Sequence, residues 1–314
     1  MKSRKKTHRV LRGWFRQLTA AACLSLIAGF PVHAGDISRI VSIGGAVTEI
    51  LYDLGKEQNI VGIDTTSLYP PRAATEKPSV GYMRQLSAEG VLGLRPTLIL
   101  AIENSGPKDT MAVLDAAHVP LVVVPDNYSE QGIIEKIRVI AKAAAASDRA
   151  DCLINEVNAD LAALARLKTG IAATKRVMFI LSFANGRALV AGRNTAADGI
   201  IRMAGAQNAV EEYEGYKPVT DEAVIAAKPG VVLTMQRNGP GVVTANDVFS
   251  HAAFAATPAA ADRSFISMEG LYLLGFGPRS ARAARDLATA LYPQLKSEAL
   301  PSERISSSRS LCRE

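Results

Sequence analysis

The sequence predicts an α/β fold made of two lobes that are joined by one long helix. Short apolar strands alternate with helical segments from residue 39 to residue 124, and the same alternation resumes between residues 176 and 291. Alternation of this kind is typical of parallel strands with helices on both faces of the sheet. The 39 residues at 129–167 contain no proline and a single glycine. They are too many for one crossover, so they predict a crossover helix followed by a helix that joins the two lobes.

Two segments of the chain repeat one structural unit. Residues 87–100 and residues 220–233 each contain a helix-capping hydroxyl residue, an acid in the first helical turn, a basic residue followed by proline, and an apolar strand. We interpret the pair as the same element carried once in each lobe, although cap, helix, turn and strand also form a common unit by themselves. The acids at the matching places are Glu89 and Glu222.

The amino-terminal segment has the three parts of a secretory signal peptide. Basic residues run to Arg16, an apolar stretch covers residues 18–30, and Val32 and Ala34 are the small residues that a cleavage site requires. The apolar stretch is shorter than a membrane-spanning helix needs. We therefore expect cleavage after Ala34 and export of the remaining chain.

Cleavage at this place changes the charge of the protein. The removed segment holds seven lysine and arginine residues and no acid, so subtracting seven from the formal net charge of +6 leaves −1. The basic pI of the whole chain therefore does not indicate a nucleic-acid partner. The two cysteines that remain, Cys152 and Cys312, are too few and too far apart to predict a disulfide framework. We expect Cys152 to be an ordinary helix residue.

Tyr69 is the candidate ligand-binding residue. It lies in the polar, proline-containing segment 64–70, directly after the apolar strand 60–63. This places it at the carboxyl end of a strand, where open α/β sheets bind their ligands. A phenolate suits a hard Lewis acid such as Fe³⁺, and tyrosine is one of the residues that ligate haem iron. A tyrosine packed on a loop is the alternative interpretation.

The sequence contains no recognisable catalytic motif. A nucleophile elbow, metal-spaced His/Asp/Glu residues and a glycine-rich phosphate loop after a strand are all absent from it. After cleavage only His118 and His251 remain as histidines, and haem enzymes need an acid–base group beside the iron. We therefore expect a binding protein and not an enzyme.

The chain resembles the periplasmic haemin-binding proteins, which are the substrate-binding components of bacterial haem ABC importers. The resemblance extends from Arg39 to Pro293, and six segments carry it: 39–50, 64–70, 81–87, 191–198, 215–218 and 274–279. The first segment is shared with cobalamin and siderophore binders. The segments Asp-Thr-Thr-Ser-Leu-Tyr-Pro at 64–70 and Gly-Phe-Gly-Pro-Arg at 275–279 are more specific to the haemin branch.

The resemblance implies the fold of a class III periplasmic binding protein, with two Rossmann-like α/β lobes joined by a single long interlobe helix. The expected parts of the chain are a signal peptide at 1–34, an N-terminal lobe at 35–145, the interlobe helix at 146–169, a C-terminal lobe at 170–295 and a disordered tail at 296–314. The expected location is the periplasm.

The resemblance also implies haem b as the transported ligand, bound in the cleft between the lobes, with Tyr69 as the axial ligand of the iron. Arg72 and Arg84 are the nearby cations, which would favour the phenolate or pair with the haem propionates. The other positions expected at the haem are Tyr82, Met83, Arg193 and Arg237.

One departure from some relatives concerns the number of haems. Those relatives carry a histidine in the loop after the first strand of the second lobe, whereas the corresponding residues 182–186 contain none. We therefore expect one haem, five-coordinate through Tyr69. An offset stack of two haems with a second tyrosine remains open.

The implied partners are those of an importer. We expect a membrane permease whose arginines meet Glu89 and Glu222, an outer-membrane haem receptor as the upstream donor, a monomeric protein and no nucleic acid. A ferric siderophore or a corrinoid is the alternative ligand for the same class of transporter. Such a ligand brings its own metal ligands and needs no phenolate from the protein.

Overall fold

The computed structural model describes residues 36–236, residues 241–295 and residue 300. The expected signal peptide, Arg237 and all of the expected tail except Leu300 lie outside the described residues. Within them the chain forms two α/β lobes joined by one long helix, which confirms the predicted fold.

The first lobe is built on a four-stranded sheet in the order β2-β1-β3-β4, in which all neighbouring strands are parallel. The strands are β1 (Ile40–Ile43), β2 (Ile60–Ile63), β3 (Leu98–Ile102) and β4 (Leu121–Val124). The helices are α1 (Gly45–Asp53), α2 (Pro71–Glu76), α3 (Ala88–Leu92), α4 (Lys108–Ala116) and α5 (Glu130–Ala143), and a short 3₁₀ helix covers Glu57–Asn59. Because the strands are parallel, their carboxyl ends meet at one edge of the sheet, and the loops that follow them form one wall of the cleft.

The interlobe helix α6 (Ser147–Lys168) is a packed part of the core. Its buried apolar side chains recur every three or four residues, at Ala150, Leu153, Ile154, Val157, Leu161 and Leu164. This spacing places them on one face of the helix. They belong to one apolar cluster that contains residues of both lobes. The connection between the lobes is therefore a continuous core and not a linker.

Cys152, on α6, is disulfide-bonded. The expectation of an ordinary helix residue is therefore wrong. Its partner cysteine lies outside the described residues. Sequence spacing carried no signal for this bond, because a disulfide requires two cysteines to be close in the fold and not in the chain.

The second lobe contains a larger sheet in the order β10-β9-β5-β6-β8, with β7 also paired to β5. The strands are β5 (Arg176–Ala184), β6 (Arg187–Ala191), β7 (Gln207–Asn208), β8 (Tyr216–Pro218), β9 (Val231–Gln236) and β10 (Phe265–Glu269). The helices are α7 (Ala196–Met203), α8 (Asp221–Ala227), α9 (Ala245–Phe249), α10 (Ala252–Ala255), α11 (Pro258–Ala261), α12 (Gly270–Leu274) and α13 (Ser280–Leu291).

The second sheet is mixed, whereas the alternation of elements predicted parallel strands. β6 is antiparallel to both β5 and β8. The turn between β5 and β6 is Asn185-Gly186, and both residues have positive φ, 51° and 72°. Such a pair matches the twist of a two-residue hairpin. Asn-Gly between two apolar runs was the signal for this hairpin, in a segment that we expected to be a loop.

The two repeated units have the same local structure in the two lobes. The Ser87 hydroxyl accepts a hydrogen bond from the amide of Gly90 at the start of α3, and the Thr220 hydroxyl accepts one from the amide of Ala223 at the start of α8. Each helix leads into a central strand of its sheet, β3 or β9. The repeat thus places one short, capped helix at an equivalent position in each lobe.

Candidate ligand-binding cleft

A cavity of about 1220 Å³ lies between the two lobes. Tyr69, Met83 and Tyr128 line it from the first lobe, and Tyr216 and Arg279 line it from the second. Ordinary small-molecule pockets measure roughly 300–1,000 Å³. The size of this cavity therefore favours a large ligand that contacts both lobes at once.

The loop that carries Tyr69 is held in place by the buried carboxylate of Asp64. Its Oδ1 accepts hydrogen bonds from the Gly44 amide and the Ser67 hydroxyl, both at 2.8 Å. Its Oδ2 accepts from the Thr66 amide at 2.9 Å and the Thr66 hydroxyl at 2.6 Å. Four donors replace the water that Asp64 loses on burial, since only 1% of the residue is exposed. The loop leading to Tyr69 is thereby tied to the end of β1.

Gly44 and Gly45 are required by this arrangement. Gly44 has a φ of 110°, a conformation that residues with a side chain rarely adopt. A Cβ at Gly45 would lie 2.5 Å from the backbone oxygen of Thr66. The two glycines therefore allow the start of α1 to approach the Tyr69 loop closely, which gives a structural reason for the Gly-Gly pair after the first strand.

Removing the Asp64 carboxylate is expected to destabilise the protein and loosen the loop. Asp64→Ala leaves the Gly44 amide and the Ser67 hydroxyl buried without their acceptor, which should lower the free energy of unfolding by roughly 2–4 kcal/mol. Denaturant unfolding of the ligand-free protein measures this loss. Asp115→Ala, which removes an exposed acid of the same lobe, is the matched control and should change stability by less than about 0.5 kcal/mol. Equal stability of the two variants would contradict the role of Asp64.

Arg279 lies directly on the ring of Tyr69. Its guanidinium carbon is 3.5 Å from the centre of the ring and 5.3 Å from that of Tyr272. A cation over an aromatic face is attracted by the ring electrons. Arg279 belongs to the second lobe and Tyr69 to the first, so the contact closes one side of the cleft.

The positive charge of Arg279 is balanced inside the protein by Glu49 on α1. The guanidinium donates through Nε at 3.0 Å and through Nη2 at 2.9 Å to the two oxygens of the Glu49 carboxylate. Burial alone would lower the pKa of Arg279, but the hydrogen bonds and the charge of Glu49 outweigh burial and raise that pKa. Arg279 is therefore a permanent cation beside Tyr69.

Five of the eight tyrosines of the chain line this one cavity: Tyr69, Tyr82, Tyr128, Tyr216 and Tyr272. Burial raises the pKa of Tyr128 and of Tyr216, and the neighbouring carboxylate of Asp126 raises that of Tyr128 further. These two phenols therefore stay neutral at physiological pH. Together with Leu and Met side chains they give the cavity flat, largely apolar walls.

Tyr82, Met83 and Arg84, which the resemblance implied at the ligand, also line the cavity. The Arg84 side chain is exposed, and it makes no hydrogen bond or ion pair with another described residue. Its charge acts on both Tyr128 and Tyr216. The structure thus places a cation without a partner of its own, among the described residues, at the cleft.

Arg72 and Arg193 do not line the cavity. The guanidinium of Arg72 lies 3.5 Å from the carboxylate of Glu57 and 5.2 Å from the ring centre of Tyr52. The guanidinium of Arg193 lies 3.8 Å from the carboxylate of Glu214. The structure therefore does not bring either arginine to Tyr69. Arg237, the remaining predicted residue, lies outside the described residues.

Several cavity residues were not predicted from the sequence. Besides Arg279, they include Asp126, which pairs at 2.6 Å with the fully buried Lys136, and Tyr272, whose hydroxyl donates to Asp286 at 2.8 Å. For Arg279 a signal existed, because it ends the Gly-Phe-Gly-Pro-Arg segment that carries the haemin-type resemblance. No sequence signal pointed to the others.

The two predicted docking acids are exposed on the repeated helices. Glu89 lies in the first turn of α3 and Glu222 in the first turn of α8. Hydrogen bonds from the Glu222 amide and from the Thr220 hydroxyl lower the pKa of Glu222. Both carboxyl side chains are exposed on the surface, one on each lobe.

The described residues contain no group of three or more His, Cys, Asp or Glu side chains that could hold a metal ion by themselves. None of the helices in the described part of the chain has the length and apolarity needed to cross a membrane.

A cleft between two α/β lobes that share one connecting helix is the architecture of a substrate-binding protein. The family described as Periplasmic binding protein matches residues 40–270 of this sequence. The chain belongs to that family, whose members act outside the cytoplasm as transport components.

Three known proteins are similar to this chain over more than four fifths of its length. The periplasmic heme-binding protein BhuT, solved in complex with two hemes, is 38% identical, with a TM-score of 0.77 over 82% of this chain and 99% of that chain. The apo periplasmic heme-binding protein RhuT from Roseiflexus sp. RS-1 is 38% identical, with a TM-score of 0.78 over 83% of this chain and 100% of that one. An uncharacterized ABC transporter substrate-binding lipoprotein, YvrC of Bacillus subtilis (strain 168), is 27% identical over 84% of this chain and 86% of its own length.

Less similar proteins are named for a different ligand, cobalamin. Proteins named as cobalamin-binding or vitamin B12-binding are 23–27% identical and cover 36–62% of this chain. The chain spans about half the length of the cobalamin-binding relative from Halobacterium salinarum, 53%.

Proposed function

We propose that this protein binds haem in the cleft between its lobes, with Tyr69 as the axial ligand of the ferric iron, and delivers it to the permease of an ABC importer. The observation that carries the proposal is the placement of Tyr69 in the interlobe cavity, with the guanidinium of Arg279 over its ring at 3.5 Å. A phenol held beside a permanent cation is suited to bind Fe³⁺ as a phenolate. The similarity to periplasmic heme-binding proteins supports the same ligand.

The rest of the cavity suits the other parts of a haem molecule. A porphyrin is a large, flat, apolar ring, and the walls supply Met83, Tyr128, Tyr216 and Met235 as flat or flexible apolar partners. Its propionates are anions, and Arg84 is the cavity cation that has no partner among the described residues. Arg84 is therefore the residue that we assign to a propionate.

Haemin titration of the exported protein tests the proposed ligand. We expect an absorption spectrum of high-spin ferric haem with phenolate charge-transfer bands, because a phenolate oxygen is a weak-field ligand. Metal-free protoporphyrin IX should bind more weakly, since it lacks the iron that Tyr69 holds. Cyanocobalamin is the comparison ligand for the alternative function, which the weaker matches favour. Binding of cyanocobalamin in preference to haemin would overturn the proposal in favour of a corrinoid binder.

The end point of the same titration reports the number of haems. One equivalent is the expected result, because no histidine lines the cavity among the described residues and Tyr69 is the cavity phenol whose ring centre lies 3.5 Å from the guanidinium carbon of Arg279. BhuT was solved with two hemes, so the end point shows whether this protein binds the same number of haems as that relative. An end point at two equivalents would assign a second haem to one of the four other cavity tyrosines.

The proposal also covers the chemical form of the haem, its donor, and the oligomeric state and location of the protein. Haem b is the form that we assign, an outer-membrane haem receptor is the proposed donor, and the protein acts as a monomer in the periplasm after cleavage at Ala34. Delivery and not catalysis is the assigned role, since the family consists of transport components and the sequence carries no recognisable catalytic motif. Glu89 and Glu222 are the proposed contacts with arginines of the permease.

A further inference from the structure

Glu49 is a buried acid that serves one other residue. It lies on α1, only 3% of it is exposed, and it does not line the cavity. Its Oε1 accepts hydrogen bonds from the backbone amide of Arg279 at 3.3 Å and from Nε at 3.0 Å, and its Oε2 accepts from Nη2 at 2.9 Å. All three donors belong to Arg279, so this glutamate fixes both the backbone and the side chain of that arginine.

The geometry divides the guanidinium of Arg279 between two groups of the opposite lobe. The Glu49 carboxylate occupies one edge of the planar group, and the Tyr69 ring occupies its face at 3.5 Å. A planar guanidinium can satisfy both contacts at once, whereas an ammonium cannot. With its edge held by Glu49, the guanidinium stays over the ring of Tyr69, and the ring in turn packs against a fixed group.

A buried acid beside an arginine does not by itself belong to the cleft. Another buried acid, Asp160 on α6, is 1% exposed and lies 3.8 Å from Arg282 on α13. Neither member of that pair lines the cavity. A buried ion pair is by itself weak evidence for a gain in stability. A contribution to stability therefore does not explain why both oxygens of Glu49 bind the arginine that covers Tyr69.

We propose that Glu49 is a positioning residue for the iron ligand: it holds Arg279 flat against Tyr69 and so keeps the phenol oriented for the iron. This inference rests on the proposed haem function and adds a residue that never touches the haem. It assigns control over the strength of the iron–phenolate bond to a residue of α1 that does not itself line the cavity.

Two roles for Glu49 predict changes of opposite sign. If Glu49 acted only as a nearby negative charge, removing it would leave Arg279 in place with an uncompensated positive charge, and anionic haem would be held more tightly. If Glu49 positions Arg279, removing it lets the guanidinium leave the ring, and haem dissociates faster. The direction of the change therefore separates the two roles.

The test compares haem dissociation from the haemin-loaded mature protein and its Glu49→Gln variant, measured by transfer to excess apomyoglobin. The glutamine keeps the size of the side chain and removes the charge. We expect dissociation to be faster by roughly tenfold, the scale of one charge-assisted contact, together with a shift of the phenolate charge-transfer band. A rate equal to or slower than that of the unchanged protein overturns the inference.

A double variant tests whether Glu49 acts through Arg279. Arg279→Gln alone should accelerate dissociation, and adding Glu49→Gln should accelerate it no further. Independent, multiplying effects of the two changes would overturn the inference. Asp160→Asn is the matched control, since it removes the charge of a buried acid of the interlobe helix that does not line the cavity, and it should leave the dissociation rate and the spectrum unchanged.

A second variant covers the case in which Glu49→Gln does not fold. Glu49→Asp keeps the charge but withdraws the carboxylate by one methylene, so a smaller acceleration with the same band shift is expected, and the unchanged rate overturns the inference. Failure of the haem function itself looks different. In that case the unchanged protein shows no phenolate bands with haemin, whereas a failure of this inference leaves those bands in place and the Glu49 variants at the original rate.

Discussion

Replacing Tyr69 with phenylalanine is expected to abolish the phenolate charge-transfer bands of the haemin complex and to weaken haem binding by a few kcal/mol. The change removes one oxygen and keeps the ring, so the 3.5 Å contact with Arg279 can persist. The lost free energy is that of one coordinate bond less the bond to the water that replaces it. Each loss of about 1.4 kcal/mol raises the dissociation constant tenfold. Absorption spectra and haemin titration of the variant measure both effects.

The matched control is Tyr82→Phe, in the same lobe and the same cavity. Tyr82 is 40% exposed, and no cation is recorded over its ring in the described part of the chain. This variant should keep the charge-transfer bands and bind haemin with nearly the original affinity. Bands that survive in Tyr69→Phe, or that disappear in Tyr82→Phe, would place the iron on a different phenol.

Removing both docking acids is expected to stop haem uptake while leaving haem binding intact. Glu89 and Glu222 are exposed, lie in matching helices and do not line the cavity. An acid at the start of a helix has a simpler explanation in the helix dipole. The pairing of one acid on each lobe favours the docking role, because it matches a permease with two-fold symmetry. Uptake and ATP hydrolysis in a reconstituted importer, beside a haemin titration, measure the two functions of the Glu89→Ala, Glu222→Ala variant separately.

Controls for the docking acids use other exposed charges and salt. Asp115→Ala with Asp262→Ala removes one exposed acid from each lobe outside the repeated helices, and it should leave uptake unchanged. Each single docking variant should lose less than the pair. Raised salt should weaken uptake by the unchanged protein in the same way, since exposed charges are screened beyond about 8–10 Å. Normal uptake by the double variant would mean that the two glutamates only start their helices.

The fold followed from the sequence because its signals are local. Strands such as Ile60–Ile63 and caps such as Ser87 and Thr220 are readable from a few neighbouring residues. The long helical run was enough to predict the joint between the lobes. The antiparallel strand β6 was missed because the alternation of elements outweighed the Asn185-Gly186 turn signal. The disulfide at Cys152 was missed because its pairing depends on distance in the fold.

The sequence predicted only the part of the site that the first lobe contributes. Tyr69 stands at a strand end, which the order of elements reveals, and its neighbours Tyr82, Met83 and Arg84 follow in the same lobe. The contact between Glu49 and Arg279 joins residues 230 positions apart, and no local sequence pattern predicts it. Arg72 shows the reverse case. It is three positions from Tyr69 in the chain, yet α2 carries it to Glu57 and Tyr52.

The charged contacts that cross between the lobes also limit how such proteins can recombine. The fully buried ammonium group of Lys136 donates at 3.3 Å to the backbone oxygen of Phe276, two residues before the proline that leads into Arg279. A chimaera that took its second lobe from another family member would need that carbonyl and that arginine at the same places. Otherwise Glu49 would lose its buried ion-pair partner, which costs several kcal/mol. Lys136 would keep its ion pair with Asp126 but lose one hydrogen bond, which costs roughly 1–3 kcal/mol, against a total stability of about 5–15 kcal/mol. We therefore expect the two lobes to work as a matched pair, and new ligand specificities to be reached more easily by changing cavity side chains than by exchanging whole lobes.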